Sequence, residues 1–481
     1  MGVHSNIAAM GRRSPAMGER KNMRAALLDT KGPEVRTGLL ADGAKSITLE
    51  EGAAIELTYD PAARECGTAA RLYCDYQQLA TTVGPGSMIL LDDGLIALEV
   101  EATRPAREGG DPHGAVECRV RNGGVLGATK GVNLPGAILE LPAMTEKDKD
   151  DLRWCVENDF DYVAASFVRK AHDVRSVVAF LERCCDDVRR ARAKAQGVPP
   201  EDVEVLRPLV ISKIESQEGV LNFDEILAAS DGIMVARGDL GVEIPFAELL
   251  VIQKRMVRQC NEAGKPVIVA TQMLDSMQRN PRPTRAEVTD VGNAVLDGAD
   301  AVMLSGETAG GKYPTLAAET MTEIVSHADR EIDGRTGYSL LTEHRKRMYA
   351  AIMHGASNPD AVAASAVQTA TNVKASLIIV ISRMGITARN VAKYRPSVPV
   401  MAFTASVKVA RQLMLHRGIF PVALECSDSY DEHERVVEAI RTAKEVGWLK
   451  EGHTVVLVDA EVWRQDSQTM TKANTVKVFT V

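Results

Sequence analysis

Hydrophobic and polar positions follow a repeating pattern along much of this chain: a short aliphatic run ends in polar residues and is followed by a longer amphipathic segment. Six runs have this form, at Ala25–Thr30, Tyr162–Phe167, Leu209–Glu215, Gly232–Asp239, Pro266–Gln272 and Ala301–Glu307. From the second run onward, intervening segments such as Asp173–Arg183 and Ala247–Ala263 have helical spacing. The pattern predicts a series of βα units, which closes into a parallel barrel or opens into a doubly wound sheet.

A stretch of different pattern, from about Gly32 to Leu141, separates the first run from the second. Gly-rich turns interrupt it at Gly84–Gly86 and Gly123–Gly124. Its apolar and polar residues alternate in the segments Ser46–Leu49, Ala54–Thr58, Met88–Leu91 and Ala115–Val120. Alternation with a period of two is typical of half-buried strands, so we predict a small β domain inserted into the α/β body.

After about Ala361 the pattern becomes that of an independent α/β unit. Its predicted strands are Leu377–Ser382, Val398–Phe403, Phe420–Leu424 and Thr454–Val458. We therefore predict a disordered or atypical segment followed by three domains. The segment is 1–24, the α/β body is 25–31 with 142–355, the inserted β domain is 32–141, and the C-terminal domain is 356–481.

Composition narrows the possible functions. The 481 residues are 45% apolar, 25% charged and 4% aromatic, which is typical of a multidomain globular chain. A formal net charge of −8 has the wrong sign for a general nucleic-acid or membrane-surface binder. No apolar run approaches the roughly 18 residues of a membrane span. The eight cysteines form no Cys-x-x-Cys pair, and we expect them to be reduced packing residues of a cytoplasmic protein.

The first 23 residues are basic. They include Arg12, Arg13, Arg20 and Lys21 against the single acid Glu19. This composition fits a weak transit peptide or a disordered tail, and we favour the tail.

Polar side chains at the ends of neighbouring predicted strands indicate a site at one mouth of the sheet. Residues two apart on a strand point to the same side, so Lys213 and Glu215 project together while Ile214 packs. Alone, this pair would equally fit a surface ion pair. The next unit ends in Asp239 and, at Gly238, a predicted tight turn with exposed amides. Two neighbouring carboxylates suit Mg²⁺, and with a lysine beside them they favour phosphoryl transfer.

Three further features are weaker indications of an active site. Thr271 follows the next strand, where a lone threonine is more often structural. Ser305 either contacts a nucleotide or caps a helix, and we prefer the cap. A cluster of charged residues follows a Pro-rich loop: Arg282, Arg285 and Glu287. We interpret this cluster as a helix start plus a subunit contact.

Five segments together resemble the pyruvate kinase family in order and spacing. They are Asp29–Gly38, Thr129–Gly136, Ile211–Glu215, Met234–Gly241 and Met303–Ala309. The resemblance extends from about Ala25 to the C-terminus. It implies an (α/β)₈-type barrel, a mobile β-barrel-like lid inserted after the third barrel strand, and a C-terminal open α/β domain for effector binding and assembly. The implied activity is glycolytic transfer of a phosphoryl group from phosphoenolpyruvate to ADP, giving pyruvate and ATP, by a cytoplasmic homotetramer.

Site residues can be carried over by this resemblance. It makes Glu215 and Asp239 the ligands of Mg²⁺ (or Mn²⁺), and Lys213 the catalytic cation beside the transferred phosphoryl group. It makes Lys213, Gly238, Asp239 and Thr271 the residues that bind the enolpyruvate. Thr271 would also belong to a catalytic relay that protonates the enolate carbon.

The resemblance assigns further residues around the lid. Arg36 and Lys130, at the two hinges, match residues that contact the nucleotide and its phosphates. Asp92 or Asp93 would come from the lid tip as it closes. Asp29 and Thr30 match half of the family's K⁺ site.

The chain departs from the family pattern before Ala25. The family has two βα units there, with a phosphate-contacting arginine and an Asn-Phe-Ser-His motif that completes the K⁺ site, whereas these 24 residues contain neither strand pattern nor motif. We therefore expect an incomplete barrel of about six strands with two unpaired edges, poor stability or dependence on partners, and impaired activity. Our hypothesis is an incomplete gene model or a splice form of a true pyruvate kinase.

Two alternative functions differ from pyruvate kinase activity. A non-catalytic pseudo-enzyme or regulatory subunit would have no physical need of Lys213, Glu215 and Asp239 together. A Mg²⁺-dependent barrel lyase acting on oxo-acids would have no reason to carry the lid or the C-terminal domain.

The C-terminal effector loop also departs from the family. In Ser382–Thr387, Met384 and Ile386 replace polar or basic positions, and the late loop around Trp463–Thr469 lacks glycines. Ser382, Arg383 and Thr387 can still hold one phosphate. We expect weak or no response to fructose 1,6-bisphosphate, and another sugar-phosphate effector stays open.

Overall fold

The structure is a computed structural model that describes residues 23–107, 111–332, 348, 357–423, 432–445, 447–464 and 470–481. Its strands, numbered in chain order, are β1 (Leu27–Asp29), β2 (Ser46–Leu49), β3 (Ala54–Thr58), β4 (Arg71–Tyr73), β5 (Met88–Leu91), β6 (Ile96–Arg104), β7 (Ala115–Asn122), β8 (Gly124–Gly127), β9 (Val132–Asn133), β10 (Tyr162–Ala165), β11 (Leu209–Ile214), β12 (Gly232–Ala236), β13 (Val267–Ala270), β14 (Ala301–Val302), β15 (Leu377–Ile381), β16 (Val400–Thr404), β17 (Ile419–Ala423), β18 (Thr454–Arg464) and β19 (Met470–Thr480).

The helices are numbered in the same way. They are α1 (Leu79–Thr82), α2 (Glu146–Glu157), α3 (Ala171–Gln196), α4 (Gln217–Leu221), α5 (Phe223–Ala229), α6 (Arg237–Glu243), α7 (Leu249–Ala263), α8 (Arg285–Asp297), α9 (Gly306–Ala309), α10 (Pro314–Ile332), α11 (Asn358–Asn372), α12 (Ile386–Lys393), α13 (Val407–Leu413) and α14 (Glu432–Glu445). Among the described residues, no helix is both long and apolar enough to span a bilayer.

The six predicted βα runs form one parallel sheet in the order β1-β10-β11-β12-β13-β14. Its four inner strands are mostly buried, because helices cover one face and the opposite face has its own apolar cluster. Within the described part of the chain, β1 and β14 are the two edges of this sheet. The prediction of an incomplete barrel with about six strands is therefore confirmed.

Local signals fix where the barrel helices begin and end. Thr145 and Asp148 form a capping box at the start of α2, and Thr284 and Glu287 form another at the start of α8. The second capping box confirms the predicted helix start, since Glu287 is its acidic partner. Helix α7 ends at Gly264, whose φ of 69° is a left-handed conformation that glycine adopts without strain.

The inserted domain has its own sheet and core. Strands β4-β3-β7-β6-β5-β9 form one sheet, which is antiparallel except for the β3–β4 pair, and β2 pairs with β8. A separate apolar cluster fills this domain. Strands β2, β3 and β5 have the predicted bounds, and β7 extends two residues beyond its prediction to Asn122.

The C-terminal domain is an open α/β sheet in the order β17-β16-β15-β18-β19. Apolar clusters lie on both of its faces. The four predicted strands are present, and β19, which pairs antiparallel with β18, was not predicted. The three cores are consistent with three domains, although the proposed boundaries stay predictions.

Ion pairs join the C-terminal domain to the amino ends of the barrel strands, opposite the predicted site. Arg395 pairs with Asp300 at 2.7 Å, and Arg411 pairs with Asp161 at 2.8 Å. Arg395 and Asp300 have side-chain exposures of only 8% and 4%. Because removal of one partner would leave a buried charge, loss of either residue would weaken the contact between the two domains.

Most cysteines pack in apolar surroundings. Six of the seven described cysteines are buried, and Cys66 is exposed. Burial raises the pKa of the Cys74 thiol to about 12, so it stays protonated at neutral pH. The packing role predicted for the cysteines holds for these six, and Cys426 lies outside the described residues.

His416 lies buried between the barrel and the C-terminal domain, and its titration predicts a pH-dependent stability. Burial, together with the positive charges of Arg389 and Arg395, lowers its pKa to about 3. An unfolded histidine titrates near about 6.5, so below that pH the unfolded chain binds a proton that the folded chain does not. Between pH 7.5 and pH 5.5 this group should remove on the order of 1 kcal/mol of unfolding free energy.

Urea denaturation of the wild type and of His416→Gln at the two pH values tests this expectation. The variant should lose less stability on acidification than the wild type by that amount. Equal losses in the two proteins would contradict the assignment.

Candidate active site

Lys213 is the centre of the carboxyl-end mouth of the barrel. Its Nζ lies 3.0 Å from Asp29 Oδ1, 2.8 Å from Ser166 Oγ and 3.1 Å from Glu215 Oε1. Strand β11 brings Lys213 and Glu215 to one side as predicted, and Ile214 is fully buried on the other. Burial opposes the ammonium charge, but the carboxylates of Glu215 and Asp29 outweigh it and raise the pKa of Lys213. Lys213 is therefore a fixed cation at neutral pH.

Glu215 and Asp239 form a second, acidic part of this site. Glu215 Oε2 accepts a 2.5 Å hydrogen bond from the Phe167 backbone N–H, and the negative charge of Asp239 acts on Glu215. Burial raises the pKa of Glu215 to about 7; Lys213 opposes this shift, and Asp239 adds to it. Burial likewise raises the pKa of Asp239. Because these two carboxylates lie close together away from solvent, additional positive charge beside Lys213 would stabilise them.

The donor set fits Mg²⁺. Within the described residues there is no cluster of three or more histidine, cysteine or carboxylate side chains that would enclose a metal. Mg²⁺ is usually held by one or two carboxylates, with water and substrate oxygens completing its shell. Glu215, directly after β11, and Asp239, in helix α6 after the neighbouring strand β12, provide that number of carboxylates.

Asp29 and Thr30 end strand β1 beside Lys213, and the structure uses them differently. Asp29 is the ion-pair partner of Lys213. The Thr30 hydroxyl donates to the Ala164 carbonyl at 3.3 Å and accepts from the Ser166 N–H at 3.1 Å. Thr30 thus links β1 to β10, and its role toward K⁺ stays a prediction.

Thr271 lies where β13 ends, in an unusual conformation. Its φ of 76° is rare for a β-branched residue. Gly238 lies against it, because a Cβ at Gly238 would be 3.0 Å from Thr271 Cγ2. The prediction of a tight turn at Gly238 is wrong. The chain passes from β12 directly into helix α6, and Gly238 is the second residue of that helix.

The region around Ser305 also differs from the prediction. Ser305 occupies the N-cap position of α9, but its side chain makes no capping hydrogen bond. The buried carboxylate of Glu307 instead accepts from the backbone N–H groups of Ser305 at 2.8 Å and Leu274 at 3.0 Å. The prediction that the Ser305 side chain caps the helix is therefore wrong, because Ser305, with a ψ of −100°, lacks the extended backbone that is usual for a capping residue.

A cleft of about 280 Å³ lies between the inserted domain and the barrel. Among the predicted site residues it is lined by Arg36, Asp92, Asp93, Lys130, Glu215 and Asp239. Arg36 donates to the Thr129 carbonyl at 2.8 Å, and Lys130 pairs with Asp92 at 2.8 Å. The two hinge cations therefore face the same cleft as the acidic pair. Lys213, Thr271, Asp29 and Thr30 are not among its lining residues, although Lys213 touches Glu215.

The inserted domain contacts the barrel across this cleft. Asn133 Nδ2 donates to Glu243 Oε1 at 2.9 Å. At the tip of the β5–β6 hairpin, a Cβ built on Gly94 would lie 3.4 Å from the Val242 side chain. Burial raises the pKa of Glu243, and the hydrogen bond from Asn133 partly compensates for it. The inserted domain is thus held down on helix α6.

Comparison with known proteins identifies the family. The family model of the pyruvate kinase barrel domain matches residues 3–318, and the model of the pyruvate kinase alpha/beta domain matches residues 360–479. The chain belongs to the pyruvate kinase family.

Individual relatives agree over most of the chain. A pyruvate kinase of Dictyostelium discoideum is 42% identical over 461 residues, which are 95% of this chain and 83% of that protein. A protein of Arabidopsis thaliana named probable pyruvate kinase, cytosolic isozyme, is 42% identical over 441 residues, which are 89% of this chain and 82% of that protein. The crystal structure of a pyruvate kinase from Cryptosporidium parvum has a TM-score of 0.79 at 38% identity, covering 95% of this chain and 84% of that one.

Two residues of this pyruvate kinase site were missed from the sequence. Ser166 Oγ accepts from Lys213 and donates to the Thr30 carbonyl at 2.6 Å. Phe167 has a φ of 54°, which turns its N–H toward Glu215. Ser166 directly follows the buried run of β10, and this strand-end position was the available signal.

The contact between Asn133 and Glu243 predicts how the inserted domain of this pyruvate kinase is held. Asn133→Leu keeps a similar size but removes the donor from a half-buried carboxylate, a change that costs about 1 kcal/mol. We expect the amides of β5 and β6 to exchange with deuterium several-fold faster, because the hairpin is released from α6. Hydrogen exchange with mass spectrometry measures this change.

The matched control is Asn158→Leu. Asn158 donates to the Trp154 carbonyl at 2.8 Å within the barrel and does not contact the inserted domain. Exchange in β5 and β6 should be unchanged in this variant. If Asn133→Leu also leaves it unchanged, the contact does not hold the domain.

Proposed function

We propose that this chain is a pyruvate kinase that transfers the phosphoryl group of phosphoenolpyruvate to ADP in glycolysis, giving pyruvate and ATP. The observation that carries the proposal is the position of Lys213, which contacts Asp29, Ser166 and Glu215 beside the Glu215–Asp239 pair. Membership of the pyruvate kinase family supports it.

In this mechanism the β-phosphate oxygen of ADP attacks phosphorus, and the bond from phosphorus to the enol oxygen breaks. Glu215 and Asp239 would hold Mg²⁺ (or Mn²⁺), which when bound would supply positive charge to the phosphoryl oxygens and the enolate. Lys213 stabilises the same developing charge, and its raised pKa keeps it protonated while it does so. The enolate carbon then takes a proton, and Thr271 belongs to the relay that delivers it.

Binding of the two substrates is divided between the barrel and the lid. Lys213, Gly238, Asp239 and Thr271 bind the enolpyruvate. Arg36 and Lys130 bind the nucleotide phosphates, and they exchange their present partners Glu34 and Asp92 for phosphate oxygens.

Activity assays with site variants test the proposal. The wild type should form pyruvate only with phosphoenolpyruvate, ADP and Mg²⁺ present, and a chelator should abolish the reaction. Lys213→Met should lower kcat by about 10²-fold to 10³-fold, because a cation aimed at developing charge is lost. Lys254→Met is the control, since Lys254 pairs with Asp297 on the barrel exterior.

Metal binding separates the roles of the charged residues. Electron paramagnetic resonance of added Mn²⁺ should show binding to the wild type and to Lys213→Met, and much weaker binding to Asp239→Asn. A wild type that binds Mn²⁺ but forms no pyruvate would contradict the proposed reaction and would favour the non-catalytic alternative.

Potassium is the second cofactor that we propose, with Asp29 and Thr30 as part of its site. Pyruvate formation in K⁺ should exceed that in tetramethylammonium at the same ionic strength. Equal rates in the two salts would remove K⁺ from the proposal.

Assembly and regulation follow the family. We propose a cytoplasmic homotetramer that binds neither nucleic acid nor membrane, in keeping with the net charge of −8 and with a relative named as a cytosolic isozyme. In the effector loop, Met384 is 42% and Ile386 58% exposed, so apolar groups stand where a phosphate would bind. This exposure supports weak or no response to fructose 1,6-bisphosphate, with another sugar phosphate as the alternative. Residues 465–469 of the late loop lie outside the described residues.

A further inference from the structure

We propose that Arg237 and Asp290 are positioning residues that hold Thr271 in its strained conformation and thereby aim its hydroxyl into the site. The proposal rests on the proposed pyruvate kinase reaction, in which Thr271 helps to protonate the enolate carbon. The sequence motifs gave Arg237 no separate role, and Asp290 belongs to helix α8 outside the motifs.

The contacts of Arg237 converge on the end of strand β13. One terminal nitrogen donates to the Thr271 carbonyl at 2.7 Å, and Nε donates to the carbonyls of Ala270 and Thr271 at 3.2 Å. The other terminal nitrogen pairs with the Asp290 carboxylate at 2.7 Å. The Arg237 side chain is only 12% exposed. Its planar group thus joins β13 to α8 with little contact to solvent.

Thr271 needs such support because its backbone is strained. Both Thr271 and Gln272 have positive φ, at 76° and 55°. Side chains that branch at Cβ are unfavourable there, and such conformations persist only where surrounding contacts fix them. Hydrogen bonds from a charged donor to the Thr271 carbonyl are contacts of that kind.

The residue after Arg237 completes the arrangement. Gly238 leaves just enough space for Thr271 Cγ2, since a Cβ there would lie 3.0 Å from that methyl group but 3.7 Å from Oγ1. Arg237 therefore fixes the backbone of Thr271 while Gly238 limits where its methyl group can turn. With both restraints present, the direction of the hydroxyl is set by neighbours on α6.

Helix α8 supplies a rigid anchor for Asp290. Its capping box joins Thr284 to Glu287, and Glu287 also accepts from the backbone N–H of Ser276 at 2.7 Å. Asp290 lies one turn further along the same helix. The carboxylate that orients Arg237 therefore comes from a part of the barrel that is itself tied to the loop after β13.

A merely structural ion pair would behave differently from a positioning pair, and the chain offers a matched comparison. Asp297 lies two turns after Asp290 on α8 and pairs with Lys254. Asp290→Asn and Asp297→Asn make the same chemical change on the same helix, but only Asp290 connects to Thr271.

The first experiment measures exchange of the pyruvate methyl protons with D₂O by NMR in the full chain with Mg²⁺. This partial reaction reports proton transfer at carbon without phosphoryl transfer. Arg237→Gln and Asp290→Asn should slow exchange by about 10-fold to 100-fold, because a small misplacement of an aligned group has an effect of that size. Asp297→Asn should match the wild type. Arg237→Lys should recover only part of the rate, since lysine lacks the planar fork.

The second experiment asks whether Arg237 acts through Thr271. In a Thr271→Ala background, Arg237→Gln should cause no further loss of exchange, since the group that it positions is gone. An equal loss in both backgrounds would overturn the proposal, as would an unchanged rate in Arg237→Gln. A thermal melt of every variant shows which of them are folded. If Arg237→Gln does not fold, Asp290→Asn replaces it in this experiment.

The two levels of inference fail in different ways. If the wild type neither makes nor exchanges pyruvate, the proposed function is wrong. If the wild type does both and the Arg237 and Asp290 variants keep their rates, only the positioning role is wrong.

Discussion

One ammonium group among three carboxylates, of which Glu215 is fully buried, is the interaction on which the rest of the site depends. Lys213 is shared by Asp29 and Glu215, and Asp239 adds a further negative charge that acts on Glu215. Burial makes each charge costly unless it is paired, and the raised pKa values of Glu215 and Asp239 show that Lys213 alone does not balance them. The site is short of positive charge, which is the condition that a divalent cation satisfies.

Backbone strain surrounds this charge cluster. Phe167, Thr271 and Gln272 all have positive φ at the ends of barrel strands. In each of the first two the unusual conformation turns a backbone group toward a charged side chain: the Phe167 N–H meets Glu215, and the Thr271 carbonyl meets Arg237. These contacts hold the strained conformations in place. In return, the backbone groups that are turned in this way form hydrogen bonds with the charged side chains.

Several elements were predictable because they rest on local periodicity. Strands β2, β3 and β5 and the start of α8 follow from alternation and a capping box, which involve residues close in sequence. The failures had non-local causes. Strand β19 forms because it pairs with β18. The backbone N–H of Ser305 bonds to Glu307, whose carboxylate also bonds to Leu274 from another loop, and Ser305 does not have the extended backbone of a capping residue. Gly238 lies in a helix, where its missing Cβ leaves space for Thr271 at the end of the neighbouring strand.

By itself, the sequence determined that Lys213 and Glu215 share a face, that Ile214 is buried, and that the polar residues gather at strand ends. These are consequences of the strand's two-residue period and of parallel strand direction. Only the tertiary structure decided the partners of Lys213, since Asp29 and Ser166 are 184 and 47 residues away along the chain. It likewise decided that Arg237 reaches Thr271 and Asp290, on the next strand and on a helix beyond it. Such contacts depend on the order in which the strands pair and on whether neighbouring side chains stabilise a strained backbone. Local periodicity determines neither of these.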